Sequence, residues 1–318
     1  MPARDAGALV GSSGRRCDGH MSTPPVIDVD SLTVSYGDHT AVDDLSFQVE
    51  RGELYALLGT NGAGKTTTLE VVEGHRRPTS GAVRVFGNSP TDRRSVRPRM
   101  GIMLQDSGFS ADLTVAESVR LIGRLTGRSD SVERVLGLVD LVGKAGAKVS
   151  QLSGGQKRRL DFATAVYGRP ELIFLDEPTT GLDIQSRDAL WEAVTQLRTD
   201  GSTVVLTTHY LEEAQQHADR IGLMHRGVFR HQGTVSELTR TLPAAIHFGL
   251  PPDAPAPPLP AAPGADGGYV IETFELQPDL KRLLDWADVH AVELRGLSAA
   301  PTRLDDVFRA IRTEAPTG

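Results

Sequence analysis

Leu54-Tyr55-Ala56-Leu57-Leu58-Gly59-Thr60-Asn61-Gly62-Ala63-Gly64-Lys65-Thr66 is the stretch that decides the fold. An unbroken apolar run over Leu54–Leu58 suits a strand buried on both faces. It ends in Gly59–Thr66, which matches G-x-x-x-x-G-K-[ST]. Glycines let a backbone wrap closely around an anion, because no Cβ keeps the N–H groups away from it. The next segment, 65–72, reads as a helix whose positive N-terminal end faces the same anion. Lys65 is then placed to reach the terminal phosphates, and Thr66 to offer a hydroxyl to Mg²⁺. A strand leading in and a helix leading out are the context such a loop needs.

Strand and helix patterns alternate on either side. Leu45, Phe47 and Val49 alternate with polar residues, as in a half-buried strand. Thr114-Val115-Ala116-Glu117 is a capping box opening a helix, with Val115, Val119, Ile122 and Leu125 on one face. A second helix is expected over 132–141. Leu172–Leu175 and Val204–Leu206 read as further buried strands, each followed by a helix. Residues 221–224 and 228–231, divided by Arg226-Gly227, read as a hairpin. The alternation predicts an α/β fold with a mostly parallel sheet and its ligands at the carboxyl edge.

Leu172-Ile173-Phe174-Leu175-Asp176-Glu177 delivers two carboxylates to that edge. Beside a phosphate loop, Asp176 suits a metal site shared with Thr66, and Glu177 is placed to orient or deprotonate a water. Mutual repulsion of the two acids also favours a bound cation. Leu152-Ser153-Gly154-Gly155-Gln156 opens another helix. On its own Ser153 is an ordinary N-cap, but the two glycines leave its N–H groups open to an anion.

Phosphate loop, pentapeptide and acidic strand end, in that order, make the chain resemble the ATP-binding subunits of ABC transporters over roughly residues 26–240. The resemblance implies a P-loop ABC ATPase domain with a mostly parallel sheet, an antiparallel β portion and a helical subdomain. It implies ATP and Mg²⁺, with Gly59, Thr60, Asn61, Gly62, Ala63, Gly64, Lys65, Thr66 and Thr67 around the phosphates. Thr60 stands where the family often has proline. In that family two ATPase domains pack head to tail, so that Ser153, Gly154, Gly155 and Gln156 face the ATP held by a partner. One ATPase domain in the chain therefore implies a homodimer. Further positions follow from the resemblance: Tyr36 stacks on adenine, Gln105 touches Mg²⁺ and water, Asp183 lies in the loop between the two sites, and His209 contacts the γ-phosphate. Catalysis is assigned to Glu177, His209 and Gln105, and the metal to Thr66, Gln105 and Asp176.

Leu113-Thr114-Val115-Ala116-Glu117-Ser118 and the late Leu304-Asp305-Asp306-Val307-Phe308 are similar to segments of daunorubicin-resistance-like subunits, which implies an exporter working with a separate multi-span permease of the ABC-2 type. The helix around Leu304–Ile311 also reads simply as one that packs on a core.

Composition agrees with this and limits the alternatives. The chain has 318 residues, 24% charged and 39% hydrophobic, with a formal net charge of −7. That is a globular composition, and its sign argues against a broad nucleic-acid surface, so no nucleic-acid partner is expected. No apolar run approaches the ~18 residues of a membrane span, so any membrane the protein works at must be crossed by another chain; the resemblance implies the cytoplasmic face of that membrane. A single cysteine, Cys17, fits a reducing compartment. Soluble ABC ATPases of ribosomes usually carry two cassettes, and those of DNA often insert long coiled coils between the phosphate loop and the pentapeptide. Ser153 follows Lys65 by only 88 positions, which suits neither. A regulator without turnover is disfavoured by the presence of Lys65, Asp176, Glu177 and His209 together. The cluster Arg93, Arg94, Arg97 and Arg99 reads as a solvated face.

Residues 1–21 read as a disordered head. Arg15-Arg16 lacks the apolar stretch an export signal needs, and Met21 is a second candidate start. The ATPase domain is expected over 22–240, a stiff Pro/Ala-rich linker or loop over 241–268, and a small C-terminal α+β domain over 269–318.

Overall fold

The computed structural model describes residues 24–104, 108–264 and 267–313. The expected head therefore lies outside the described residues, as does Gln105. Two long strands, β1 (Ile27–Tyr36) and β2 (His39–Val49), pair antiparallel. The apolar run follows as β3 (Leu54–Gly59), then α1 (Lys65–Val72) and β4 (Ser80–Val85), which joins the other side of β1. A short helix, α2 (Arg93–Val96), leads to β5 (Met100–Met103). Three helices come next: α3 (Val115–Thr126), α4 (Val132–Leu138) and α5 (Gly154–Ala165). The chain returns through β6 (Leu172–Asp176), α6 (Ile184–Thr199), β7 (Thr203–Thr207) and α7 (Leu211–His217). It then forms the hairpin β8 (Arg220–His225) and β9 (Val228–Gly233), followed by α8 (Val235–Thr239).

The central sheet runs β5-β6-β7-β3-β8-β9, parallel except for the last pair. Its strands divide their side chains between two cores, as the two-residue period of a strand requires. Leu54, Ala56, Leu58, Ile173, Leu175, Val204 and Leu206 face the helices α3 to α7. Tyr55, Leu57, Leu172, Phe174 and Val205 face α1 and the antiparallel sheet β2-β1-β4. That is why these strands read as continuous apolar runs. Buried Tyr55 keeps its hydroxyl satisfied by donating to Gln232 Oε1 at 2.9 Å, and its ring stacks on Phe47 at 5.3 Å. The β8–β9 turn uses Arg226 and Gly227 at φ 52° and 83°, the mirror-image geometry that matches strand twist.

The helical portion is pinned by polar contacts at its ends. Thr114 caps α3 in a complete capping box with Glu117. Helix α4 stops at Leu138, three residues short of the expectation, where the Arg159 guanidinium donates to Val139 O at 2.9 Å and serves as a C-terminal cap. Val115 and Val119 are buried, whereas Leu125, expected on the same face, is 73% exposed. It lines a groove with Ile102, Ile122, Arg97 and Arg128.

Beyond α8 the chain forms a second sheet, β11-β12-β10-β13, from β10 (Ala244–Gly249), β11 (Ala262–Pro263), β12 (Tyr269–Thr273) and β13 (Arg295–Ala300). Helix α9 (Leu276–Val289) packs on it over Ile246, Phe248, Ile271 and Leu283. The stretch read as a linker or loop over 241–268 contains two strands of this sheet, and its Pro-rich part is the loop from β10 to β11. The last helix, α10 (Leu304–Thr313), leaves that sheet. Its Leu304, Val307 and Ile311 are buried in the ATPase-side core, against α7, α8 and β8.

Candidate nucleotide site

The parallel strands end side by side, so the loops after β5, β6, β7 and β3 share one edge of the sheet. At β3 the loop bends sharply into α1. Gly64 adopts φ 98°, and a Cβ there would stand 2.4 Å from Ala41 O, so any other residue would both strain the backbone and clash. Lys65 Nζ donates to Gly59 O at 2.9 Å and Thr60 O at 3.2 Å, folding over its own loop. Burial pulls its pKa below the ordinary lysine value, and the carboxylates of Glu177 and Asp176 offset part of this. A partly dehydrated ammonium resting on loop carbonyls at the start of α1 gains from a bound anion. A cleft of about 290 Å³ opens here between Gly62, Ala63, Gly64, Lys65, Thr66, Thr67 and Tyr36. The Tyr36 hydroxyl lies 3.4 Å from Thr67 Oγ1. The Arg76 guanidinium sits 4.4 Å from the centre of the Tyr36 ring. Thr60 Oγ1 lies 3.2 Å from His225 Nδ1, while Asn61 is exposed at the loop tip.

Strand β6 carries Asp176 to the same edge, where its carboxylate accepts the Thr207 hydroxyl from β7. Glu177 follows with φ 48°, a left-handed backbone that costs a residue with a Cβ about 1–2 kcal/mol. Its carboxylate lies 3.3 Å from His209 Nδ1, and both side chains are reached by solvent. Glu177 and His209, both assigned to catalysis, lie beside each other at the ends of neighbouring strands. A second cleft, of about 310 Å³, lies between Gly59, Thr60, Asn61, Thr208, His209, Leu211 and Phe308 of α10. Behind it a buried acid escaped sequence reasoning. Glu213 Oε2 accepts the hydroxyls of Thr179 at 2.9 Å and Thr208 at 3.3 Å, and Oε1 lies 3.5 Å from Arg187 Nε. It ties the turn after Glu177 to the residue before His209. Nothing in the local sequence marks it, since a glutamate in a short helix is ordinarily solvated.

Ser153 caps α5 by accepting the Gln156 N–H at 3.3 Å, and Gln156 Oε1 accepts the Ser153 N–H at 3.0 Å. Gly154 is exposed, and Gly155 borders Gly181 and Leu182. Asp183 caps α6 through the Ser186 N–H at 2.7 Å. Neither cleft beside the phosphate loop is lined by Ser153, Gly154, Gly155, Gln156 or Asp183. Ser153–Gln156 and Asp183 therefore stand apart from both clefts beside the phosphate loop.

A phosphate loop at the edge of a parallel sheet, flanked by a carboxylate, a histidine and a helical portion, defines a nucleotide-hydrolysing cassette. Comparisons with known proteins agree. The ABC transporter family matches residues 42–180, and the family described as ABC transporter domain-containing protein-like, C-terminal domain, matches 244–302. The Nod factor export ATP-binding protein I of Paraburkholderia xenovorans is 37% identical over 295 residues, covering 89% of this chain and 95% of that protein. The daunorubicin/doxorubicin resistance ATP-binding protein DrrA of Streptomyces peucetius is 41% identical over 230 residues, 70% of each chain. Among solved structures, an ATP-binding subunit of an ABC transporter aligns with TM-score 0.65 and 28% identity over 68% of this chain and 92% of that one. A dimeric cassette in a post-hydrolysis state bound to ADP and Pi aligns with TM-score 0.61 and 25% identity over 65% of this chain and 98% of that one. The chain belongs to the ATP-binding subunits of ABC transporters. It binds ATP and hydrolyses it to drive transport, and no helix among its described residues is long and apolar enough to cross a membrane.

Proposed function

We propose that the chain works as a homodimer on the cytoplasmic face of a membrane, powering export of a drug-like or other amphipathic cargo through a separate multi-span permease of the ABC-2 type. The observation that carries the dimer is that Ser153–Gln156 lies outside both clefts beside its own phosphate loop. A second copy turned head to tail would bring its Ser153, Gly154, Gly155, Gln156 and Asp183 to the open side of each nucleotide. Export is supported by two relatives, one a Nod factor export protein and one a daunorubicin/doxorubicin resistance protein.

Within each site Tyr36 would take the adenine on the ring face away from Arg76. The backbone of Gly59–Thr67 would cradle the phosphates, with Lys65 turning from its loop carbonyls onto the terminal oxygens. Thr66, Asp176 and Gln105 are the residues that would hold Mg²⁺, whose charge would neutralise the β and γ oxygens when bound. Thr207 orients the Asp176 carboxylate by donating to it. Glu177 would accept a proton from the attacking water, and His209, 3.3 Å from its carboxylate, would orient it toward the γ-phosphate.

Glu177→Gln tests this reading. The variant should bind ATP normally, lose about 100-fold or more in turnover, and elute as a dimer in ATP. Near-normal turnover would remove Glu177 as the base, and a monomer in ATP would remove the shared site. The tagged chain purified from gently solubilised membranes should carry a stoichiometric multi-span protein. Ribosomes without any membrane protein in that preparation would overturn the transport reading.

A further inference from the structure

Arg158 lies a little over one turn into α5, and the residue is only 7% exposed. The guanidinium instead spans the ends of two strands. Nη1 donates to Leu104 O at 2.8 Å, just beyond β5. Nη2 donates to Glu177 O at 2.7 Å, and to Asp176 O as well. Its neighbour Arg159 goes elsewhere, to the end of α4. A planar fork of fixed donors can engage several carbonyls together, which a lysine ammonium on a flexible stem does poorly.

What this fork holds is unusual. Glu177 has φ 48°, and backbone in that region persists only where its surroundings fix it. Both flanking peptide groups are tied. The Glu177 N–H donates to Thr207 O at 2.9 Å, and the Glu177 carbonyl accepts from Arg158. One tie comes from β7 and the other from α5. The buried guanidinium also sets a positive charge beside the backbone that carries both acids.

We infer that Arg158 is a positioning residue for Glu177, fixing the left-handed turn that aims its carboxylate, and that it makes the Glu177 turn and helix α5 move as one body. The N-terminus of α5 is Ser153–Gly155. The helix that would serve the nucleotide of a second copy is thereby fastened to the acid that acts on the chain's own. A rotation of α5 when Ser153 meets phosphate would be passed through about 7.5 Å of helix to the Glu177 carbonyl. This inference rests on the reading of Glu177 as the base.

The test uses the full-length chain with Arg158→Lys and Arg158→Gln, each alone and combined with Glu177→Gln. Steady-state hydrolysis gives kcat and KM, and a fluorescent ATP analogue gives affinity. A residue whose role is to aim Glu177 leaves affinity and KM within twofold of the parent. The value of kcat should fall about tenfold or more, with Arg158→Lys retaining more activity than Arg158→Gln. In the Glu177→Gln background, where the Glu177 carboxylate is gone, single-turnover hydrolysis should change by less than twofold on adding Arg158→Lys. Three results would overturn the inference: turnover within twofold of the parent in both single variants, KM rising as kcat falls, or the same tenfold loss with and without the Glu177 carboxylate. If Arg158→Gln is recovered only as aggregate, Arg158→Lys carries all three readouts. Normal turnover in Glu177→Gln alone would instead remove the base reading, whatever the Arg158 variants do.

Discussion

Single residues in the site are held by neighbours that no motif announces. Glu213 is the clearest case, a carboxylate shielded from water that accepts two threonine hydroxyls and faces Arg187. Removing one partner of such a network leaves the others without an acceptor, at about 1–3 kcal/mol. Glu213→Ala should therefore lower unfolding stability by about 2 kcal/mol in urea titration, and Glu213→Gln by less, because the amide oxygen still accepts. An unchanged urea midpoint in Glu213→Ala would show that the network contributes nothing. Residues of the phosphate loop, the acidic strand end and the Ser153 cap were legible because their chemistry depends on spacing along the chain. Glu213 and Arg158 were not, because their partners lie at Thr179 and Thr208, or Leu104 and Glu177, and such pairings appear only once the strands are side by side. Arg76, packed on Tyr36, belongs with them.

Elements were read well wherever one environment covers the whole segment. Strands β3, β6 and β7 are buried on both faces and show it as apolar runs, and α1 follows from the glycine loop. The end of α4 is not legible in the sequence because Val139 and Leu141 continue the apolar pattern after the helix has stopped; both are buried, but from non-helical backbone. The connection before α4 is anchored in a way that pH can probe. Asp130 accepts from Arg134 Nε at 2.8 Å and from the Gly168 N–H at 2.8 Å, and its carbonyl accepts the Tyr167 hydroxyl at 2.8 Å. Burial alone would raise the pKa of this acid. Arg134 and the N–H groups of Gly168 and Ser131 more than offset that, so the net shift is downward. A lowered folded-state pKa contributes stability above the ordinary aspartate range and loses it as pH falls through the lowered value. Asp130→Asn should thus be less stable than the parent by about 1–3 kcal/mol at pH 7, and the gap should narrow steadily below pH 4. A gap that stays constant down to pH 2.5 would mean the charge on Asp130 is irrelevant.

At the scale of the whole molecule, the second sheet is joined to the cassette at two neighbouring points. Ala245 pairs with Ala300 across β10 and β13, and Thr302 Oγ1 donates to Leu242 O at 3.1 Å and Pro243 O at 2.8 Å. After this unit the chain returns as α10, whose Leu304, Val307 and Ile311 complete the main core. The Pro-rich composition of 251–263 reads equally as a linker or a loop, because composition cannot tell a loop inside a sheet from a linker between domains. Replacing 244–300 by a short Gly/Asn turn should leave a folded, ATP-binding chain with affinity within twofold of the parent. Ending the chain at Pro243 should not, since each buried aliphatic side chain lost with α10 is worth about 1.5–3 kcal/mol. If the two shortened chains proved equally stable in thermal unfolding, α10 would have no part in the core. The paired connections also bear on descent. A guest whose two ends are neighbours can be gained, lost or exchanged by recombination without breaking its host. The closing helix, although last in the sequence, should then vary among relatives in step with α7 and α8, and not with the sheet that precedes it.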